Sequence, residues 1–227
     1  MRRYKAVLLS ALVGTVVGLV AGRFGRGLAT NLSAFALDRV SLAHRLYLMA
    51  AIPWILFSLY WEIAAKNAAE AKSSEALSSR RFHVFLANLA LLLEIAPIRG
   101  LGRFLPLSCL SITGGLAVEV LGLFLAIWAR RELGRNWSGE ISIKVEHKLI
   151  RSGPYTLLRH PIYTGLLAMY VGTALVTGVR LAIIGIVIAI FAYWRKIRLE
   201  EANLRVAFGE AYDAYRRETW ALVPGLY

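Results

Sequence analysis

Long apolar runs alternate along this chain with short, mostly basic polar stretches. A helix that spans a bilayer needs roughly 20 predominantly apolar residues, with a range of about 17–25. About six segments meet or approach that length. The first is about 6–22, "AVLLSALVGTVVGLVAG". The second is about 46–64, the third about 82–98 and the fourth about 104–129. The fifth and sixth, about 162–178 and 181–194, are short and joined by Thr177-Gly178-Val179-Arg180, which predicts a tight helical hairpin. The third is also short and breaks at Pro97. Arg2, Arg3 and Lys5 before the first run resemble the start of a signal peptide. The apolar run is long for one, however, and no small-residue cleavage site follows, so a retained helix is expected.

Composition agrees with this pattern. Of 227 residues 58% are hydrophobic, only 18% are charged, and the mean hydropathy is +0.57. A soluble domain is usually about 45–50% apolar. The expected fold class is therefore all-α, a multi-pass transmembrane helical protein. The net charge of +13 does not indicate nucleic acid, because Lys and Arg flank the apolar runs instead of lining one soluble face. With the N-terminus inside, twenty of the 27 Lys and Arg residues fall in inside segments, as the positive-inside rule requires. Both termini are then cytoplasmic, in the inner membrane of a bacterial cell or the endoplasmic reticulum of a eukaryotic one. A single cysteine, Cys109, excludes an internal disulfide and a cysteine-based metal cluster.

Two polar regions are long enough to carry chemistry, 130–161 and 195–227, and this topology puts them on one side. The 66–81 stretch carries no motif and is expected to be a solvated connector. Within 130–161, "ISIKVEHKLI" alternates weakly and suits a short extended piece. Ser152-Gly153-Pro154 is a turn. His160 precedes a proline and is biased away from helix, while Pro161 suits a first helical position. The fifth helix should start at Pro161, with His160 at its cap and Arg159 reinforcing an anion site at its N-terminal end.

In the tail, Leu204, Phe208, Tyr212 and Tyr215 recur at helical spacing. Arg205, Glu210, Asp213 and Arg216 lie opposite, which predicts an interfacial amphipathic helix. Gly209 inside it hints at a break or close backbone approach. Glu200 and Glu201 lie just past the sixth run beside Arg195, Lys196 and Arg198. The cations either neutralise the carboxylates along the helix, or one carboxylate holds a polar ligand group and one cation a second substrate. Of the carboxylates within apolar runs, Glu62 and Glu94 are expected near the surface and Glu119 deeper, where it can line a substrate path. His44 and His83 sit at run edges and are expected to be interfacial.

Two motifs resemble the isoprenylcysteine carboxyl methyltransferase family. One is His147-x-Leu149-Ile150-x-Ser152-Gly153-x-Tyr155 followed by Arg159-His160-Pro161-x-Tyr163-x-Gly165. The other is Glu200-Glu201, Leu204, Phe208-Gly209, Tyr212, Tyr215 and Pro224-Gly225-Leu226. The resemblance covers roughly Trp128 to Tyr227. It implies N-terminal transmembrane helices over 1–103 and a methyltransferase core over 104–227 with a cytosol-facing S-adenosylmethionine pocket. The cofactor residues it implies are His147, Lys148, Leu149, Ile150, Tyr155, Arg159, His160, Pro161, Ile162, Tyr163, Glu200 and Glu201. The family has a substrate-contacting arginine four residues before the first glutamate. Here that position is Lys196, with Arg195 beside it, so the charge is kept and the bidentate fork lost.

The residues are consistent with methyl transfer. It needs neither a phosphate-binding glycine loop nor a metal, and "GRFGRG" at 22–27 lies outside any strand–helix context. Aligning nucleophile, methyl carbon and sulfur is mostly an orientation effect. Tyr155 or Tyr163 can face a sulfonium. A lipophilic acceptor carboxylate needs only a cation for positioning, such as Lys196 or Arg195. An amine acceptor would need a base, for which Glu119 and His160 are the candidates. The competing expectations are a phospholipid amine methyltransferase and a non-catalytic membrane protein that kept the helices.

Overall fold

The computed structural model describes residues 34–66, 71–74, 76–95, 102–106, 108–137, 142–144 and 149–226. Six helices carry the described fold: α1 (Ala34–Ala65), α2 (Leu77–Ile95), α3 (Cys109–Leu133), α4 (Pro161–Thr177), α5 (Leu181–Phe208) and α6 (Glu210–Glu218). The expected first run, 6–22, lies outside the described residues. Helices occupy the positions of the other five, and α1, α2 and α5 run longer than the apolar stretches alone. The stretch from Cys109 to Asn136 is long and apolar enough to cross a membrane, with a mean hydropathy of 2.0 over its 18-residue apolar window. Met49–Ala65 and Pro161–Thr177 are shorter apolar helices.

One departure from an all-helical chain is a two-stranded antiparallel ribbon of β1 (Ala71–Ser74) and β2 (Ser142–Lys144). The extended piece expected in "ISIKVEHKLI" is therefore present. Its partner comes from the stretch expected to be a mere connector, because β2 offers an unpaired edge that a polar segment can satisfy.

Helix α4 lies along α3, and α5 lies along α2. The first pairing depends on glycine. A Cβ at Gly165 would sit 2.4 Å from the Gly122 carbonyl oxygen, and one at Gly172 would sit 2.6 Å from that of Gly115. On each helix the two contacting glycines lie seven residues apart, so they share a face and let the backbones touch. The far end of the hairpin closes at Gly178 (φ +59°), whose carbonyl accepts from the Phe104 backbone N–H at 2.8 Å.

Two carboxylates sit inside the bundle. Glu119 is fully buried and accepts from the Thr173 hydroxyl at 2.6 Å, to which the Trp54 indole donates at 2.9 Å. Glu94 is also fully buried, contrary to the expectation of a surface position. Gly185 allows α5 to close over it, since a Cβ there would meet Glu94 Cγ at 2.8 Å. Glu62 is exposed, as expected.

Candidate active site

Helix α4 begins at Pro161 with His160 at the N-cap position, as the sequence indicates. The two stretches separated by the α4–α5 hairpin meet there. Tyr163 donates its hydroxyl to Glu200 Oε1 at 2.5 Å. His160 Nδ1 lies 3.6 Å from Glu200 Oε2, and its Nε2 lies 3.4 Å from Glu201 Oε1. Carboxylates only accept, so a proton on either ring nitrogen faces one, and the pair favours the charged form of the buried ring. Burial alone would pull its pKa down, but the two carboxylates hold it above the ordinary histidine value. Reciprocally, burial would raise both glutamates, and His160, joined by Lys196 and Tyr163 at Glu200 and by Arg159 at Glu201, holds them below the usual carboxylate range.

The two glutamates differ in what remains open. Glu201 accepts from Arg159 Nε at 2.9 Å and faces Arg216 Nε at 3.2 Å, and its side chain is 10% exposed. Glu200 lacks an arginine partner in these contacts, and its side chain is 21% exposed. Glu201 thus ties the protein to itself, while Glu200 keeps an accessible carboxylate edge.

Arg159 sits immediately before the α4 N-cap, as expected. Its guanidinium also donates to the carbonyls of Arg216 (3.1 Å) and Thr219, so it joins the tail to the α4 cap. His160 makes no side-chain capping bond, because its ring turns to the glutamates. The tail itself is not one amphipathic helix. Gly209 (φ +53°) breaks it between α5 and α6, where an L side chain would be strained. Tyr212 and Tyr215 are buried, and Tyr215 donates to the Tyr155 carbonyl at 2.7 Å. After α6 the chain runs back beside the loop: the backbone N–H groups of Arg159 and His160 donate to the carbonyls of Trp220 and Ala221 at 2.8 and 3.1 Å.

Tyr155, Pro161 and Ile162 are buried, Leu149 and Ile150 half-buried. Burial pushes the Tyr155 phenol well up, so it stays neutral. Tyr163 stacks on His160 (5.7 Å between centroids, 10°) and packs against Tyr193 (5.2 Å). Lys196 is buried one turn before Glu200. Arg195 turns to α2, donating to Ser79 Oγ at 2.9 Å, with its guanidinium 5.3 Å from the centre of the Phe82 ring. His147 and Lys148 lie outside the described residues. Sequence reasoning missed Arg216 and Thr219, whose roles come from tertiary contact and left no local signal. Gly153 is explained: at φ +56° its position also faces Glu132, where a Cβ would lie 3.0 Å from Cδ.

Residues 110–211 match the phospholipid methyltransferase family model. A probable protein-S-isoprenylcysteine O-methyltransferase of Oryza sativa subsp. indica is 33% identical over 113 residues, 48% of this chain and 59% of that protein. That likeness is to the isoprenylcysteine carboxyl methyltransferase family, and the chain spans about three fifths of the relative's length. The protein-S-isoprenylcysteine O-methyltransferase of Saccharomyces cerevisiae is 24% identical over 97% of this chain and 91% of its own length. The solved structure of a eukaryotic intramembrane Ras methyltransferase, an isoprenylcysteine carboxyl methyltransferase, is 17% identical over 96% of each chain, with a TM-score of 0.47. The segment matched by the family model includes His160, Tyr163, Glu200 and Glu201. It ends before Arg216 and begins after α1 and α2.

Proposed function

We propose that this protein is an integral membrane methyltransferase that moves a methyl group from S-adenosylmethionine to a lipophilic acceptor, the carboxylate of an isoprenylcysteine-like compound. The observation that carries the reading is the contact of the Arg159–Tyr163 segment with Glu200 and Glu201 at one end of the bundle. Six spans with both termini cytoplasmic put this end on the cytosolic face, and 104–227 is the core that builds it.

The residues fit the methyl donor. Glu200 offers a half-open carboxylate for ribose hydroxyls or the donor's ammonium. Arg159, His160, Lys196 and Arg216 outnumber Glu200 and Glu201, which leaves positive charge for the donor's carboxylate. Tyr155 and Tyr163 with the apolar Leu149, Ile150, Pro161 and Ile162 make the rest of the wall. The bound donor supplies an electrophilic methyl on a sulfonium. The protein's part is orientation, and Lys196 positions the acceptor carboxylate, which is already ionised at neutral pH and needs no base.

A phospholipid amine is the second reading, favoured by the description of the matching family model. The surplus of cations opposes it, because an ammonium headgroup would be repelled. The described cluster also disfavours a base: the two carboxylates beside His160 hold its pKa up, and Glu119 is buried within the bundle between α3 and α4.

Titration calorimetry of the detergent-purified protein with S-adenosylhomocysteine is expected to give saturable binding. Methyl transfer is expected to a farnesylated cysteine and not to phosphatidylethanolamine. Absence of binding by well-folded protein would refute the enzyme, and the reverse acceptor preference would refute the carboxylate.

A further inference from the structure

Helix α2 lies outside the segment matched by the family model, yet it borders the site. Two residues on its successive turns, Ser79 and His83, face α5. Ser79 and Phe82 hold Arg195. His83 Nδ1 is 3.2 Å from the Ala192 carbonyl, and its ring meets that of Tyr193 edge-on at 5.2 Å. A carbonyl only accepts, so Nδ1 carries the proton. In the neutral ring that leaves Nε2 with a lone pair. Ala192, Lys196 and Glu200 follow one another at four-residue spacing on a single α5 stripe. His83 on Ala192 and Ser79 on Arg195 bracket the turn of α5 that carries Lys196.

We propose that His83 is the positioning residue for Lys196: its Nε2 accepts from the lysine ammonium and fixes where that charge meets the acceptor. Lysine is a flexible point charge without the fork of an arginine, so at this position orientation must come from a neighbour. This inference rests on the proposed function, in which Lys196 faces the acceptor carboxylate. It adds that a helix outside the matched segment sets acceptor geometry through Arg195 and Lys196 together.

The test uses full-length protein in detergent and two variants. His83→Asn keeps an N–H near the Nδ1 position and removes the Nε2 acceptor; His83→Gln places an amide oxygen near Nε2. Two readouts are taken beside melting temperature and S-adenosylhomocysteine affinity. One is acylation of Lys196 by acetic anhydride, followed by mass spectrometry, which needs no turnover. The other is kcat on a farnesylated cysteine. His83→Asn should raise Lys196 labelling severalfold and lower kcat by about tenfold, the scale of a mispositioned group, with cofactor affinity unchanged. His83→Gln should return both toward wild type. Wild-type labelling in His83→Asn, or a parallel loss of cofactor affinity and melting temperature in both variants, overturns the proposal. Altered labelling in a protein that methylates neither acceptor would leave the His83–Lys196 contact standing and remove the proposed function instead.

Discussion

Replacing Glu200 and Glu201 separately by glutamine distinguishes a ligand carboxylate from a structural one, although the two residues are adjacent. Glu201 is nearly buried and meets Arg159, His160 and Arg216. Removing one partner from a buried ionic cluster costs about 3–5 kcal/mol. Gln keeps one acceptor oxygen, so the lower end, about 3 kcal/mol, applies to Glu201→Gln. In a chain of this size that corresponds to a melting temperature roughly 6–12 °C lower. Glu200 is more open, and its one short bond, from Tyr163, survives in the amide. Glu200→Gln should therefore change melting by much less. Its loss falls on the ligand: a hydrogen bond to a charged group contributes about 1.5–3 kcal/mol, which is roughly 10- to 150-fold in affinity for S-adenosylhomocysteine. The assays are a thermal melt and titration calorimetry on the same detergent preparations. The reasoning fails if Glu201→Gln melts like wild type, or if Glu200→Gln binds with wild-type affinity.

Stability should peak at intermediate pH. His160, held above its ordinary 6.5, contributes stability that is complete below that pH and fades as pH rises through the raised folded-state value. Glu200 and Glu201, held below 4.5, contribute stability present above that pH and lost as pH falls through their lowered values. Melting curves across pH should show both limbs, and His160→Asn should flatten the alkaline one; an unaltered alkaline limb would place its origin elsewhere. For the bundle, Gly165→Ala drives a methyl to 2.4 Å from the Gly122 carbonyl oxygen, which cannot yield as a side-chain tip would. The expected loss is about 1–3 kcal/mol, read as a lower melting temperature, whereas Gly114→Ala on the same helix pair meets nothing within 4 Å and should be neutral or stabilising. Equal behaviour of the two variants would count against backbone contact between α3 and α4.

What the sequence made legible was local. Pro161 and the residue before it are constrained by covalent geometry, so the start of α4 could be read directly. Gly153 stood out in a turn and Gly209 as a break within a helical pattern, and both positions prove to have positive φ. The resemblance carried the pairing of two distant stretches, and the contacts of Tyr163 and His160 with Glu200 agree with it. Neither route could assign Arg216. In the helical pattern it fell on the polar face opposite Tyr212 and Tyr215, and only the break at Gly209 turns α6 so that it meets Glu201. Glu94 failed for a related reason: distance along the chain from Pro97 suggested a surface, while depth was set by Gly185 on another helix. His83 was read as interfacial from its place at the edge of an apolar run, and its neighbours come from a helix about 110 residues later in the sequence. A motif constrains the residues within it. The groups that aim those residues are chosen by packing, and in this protein they come from α2, from α6 and from the strand-like tail beside His160.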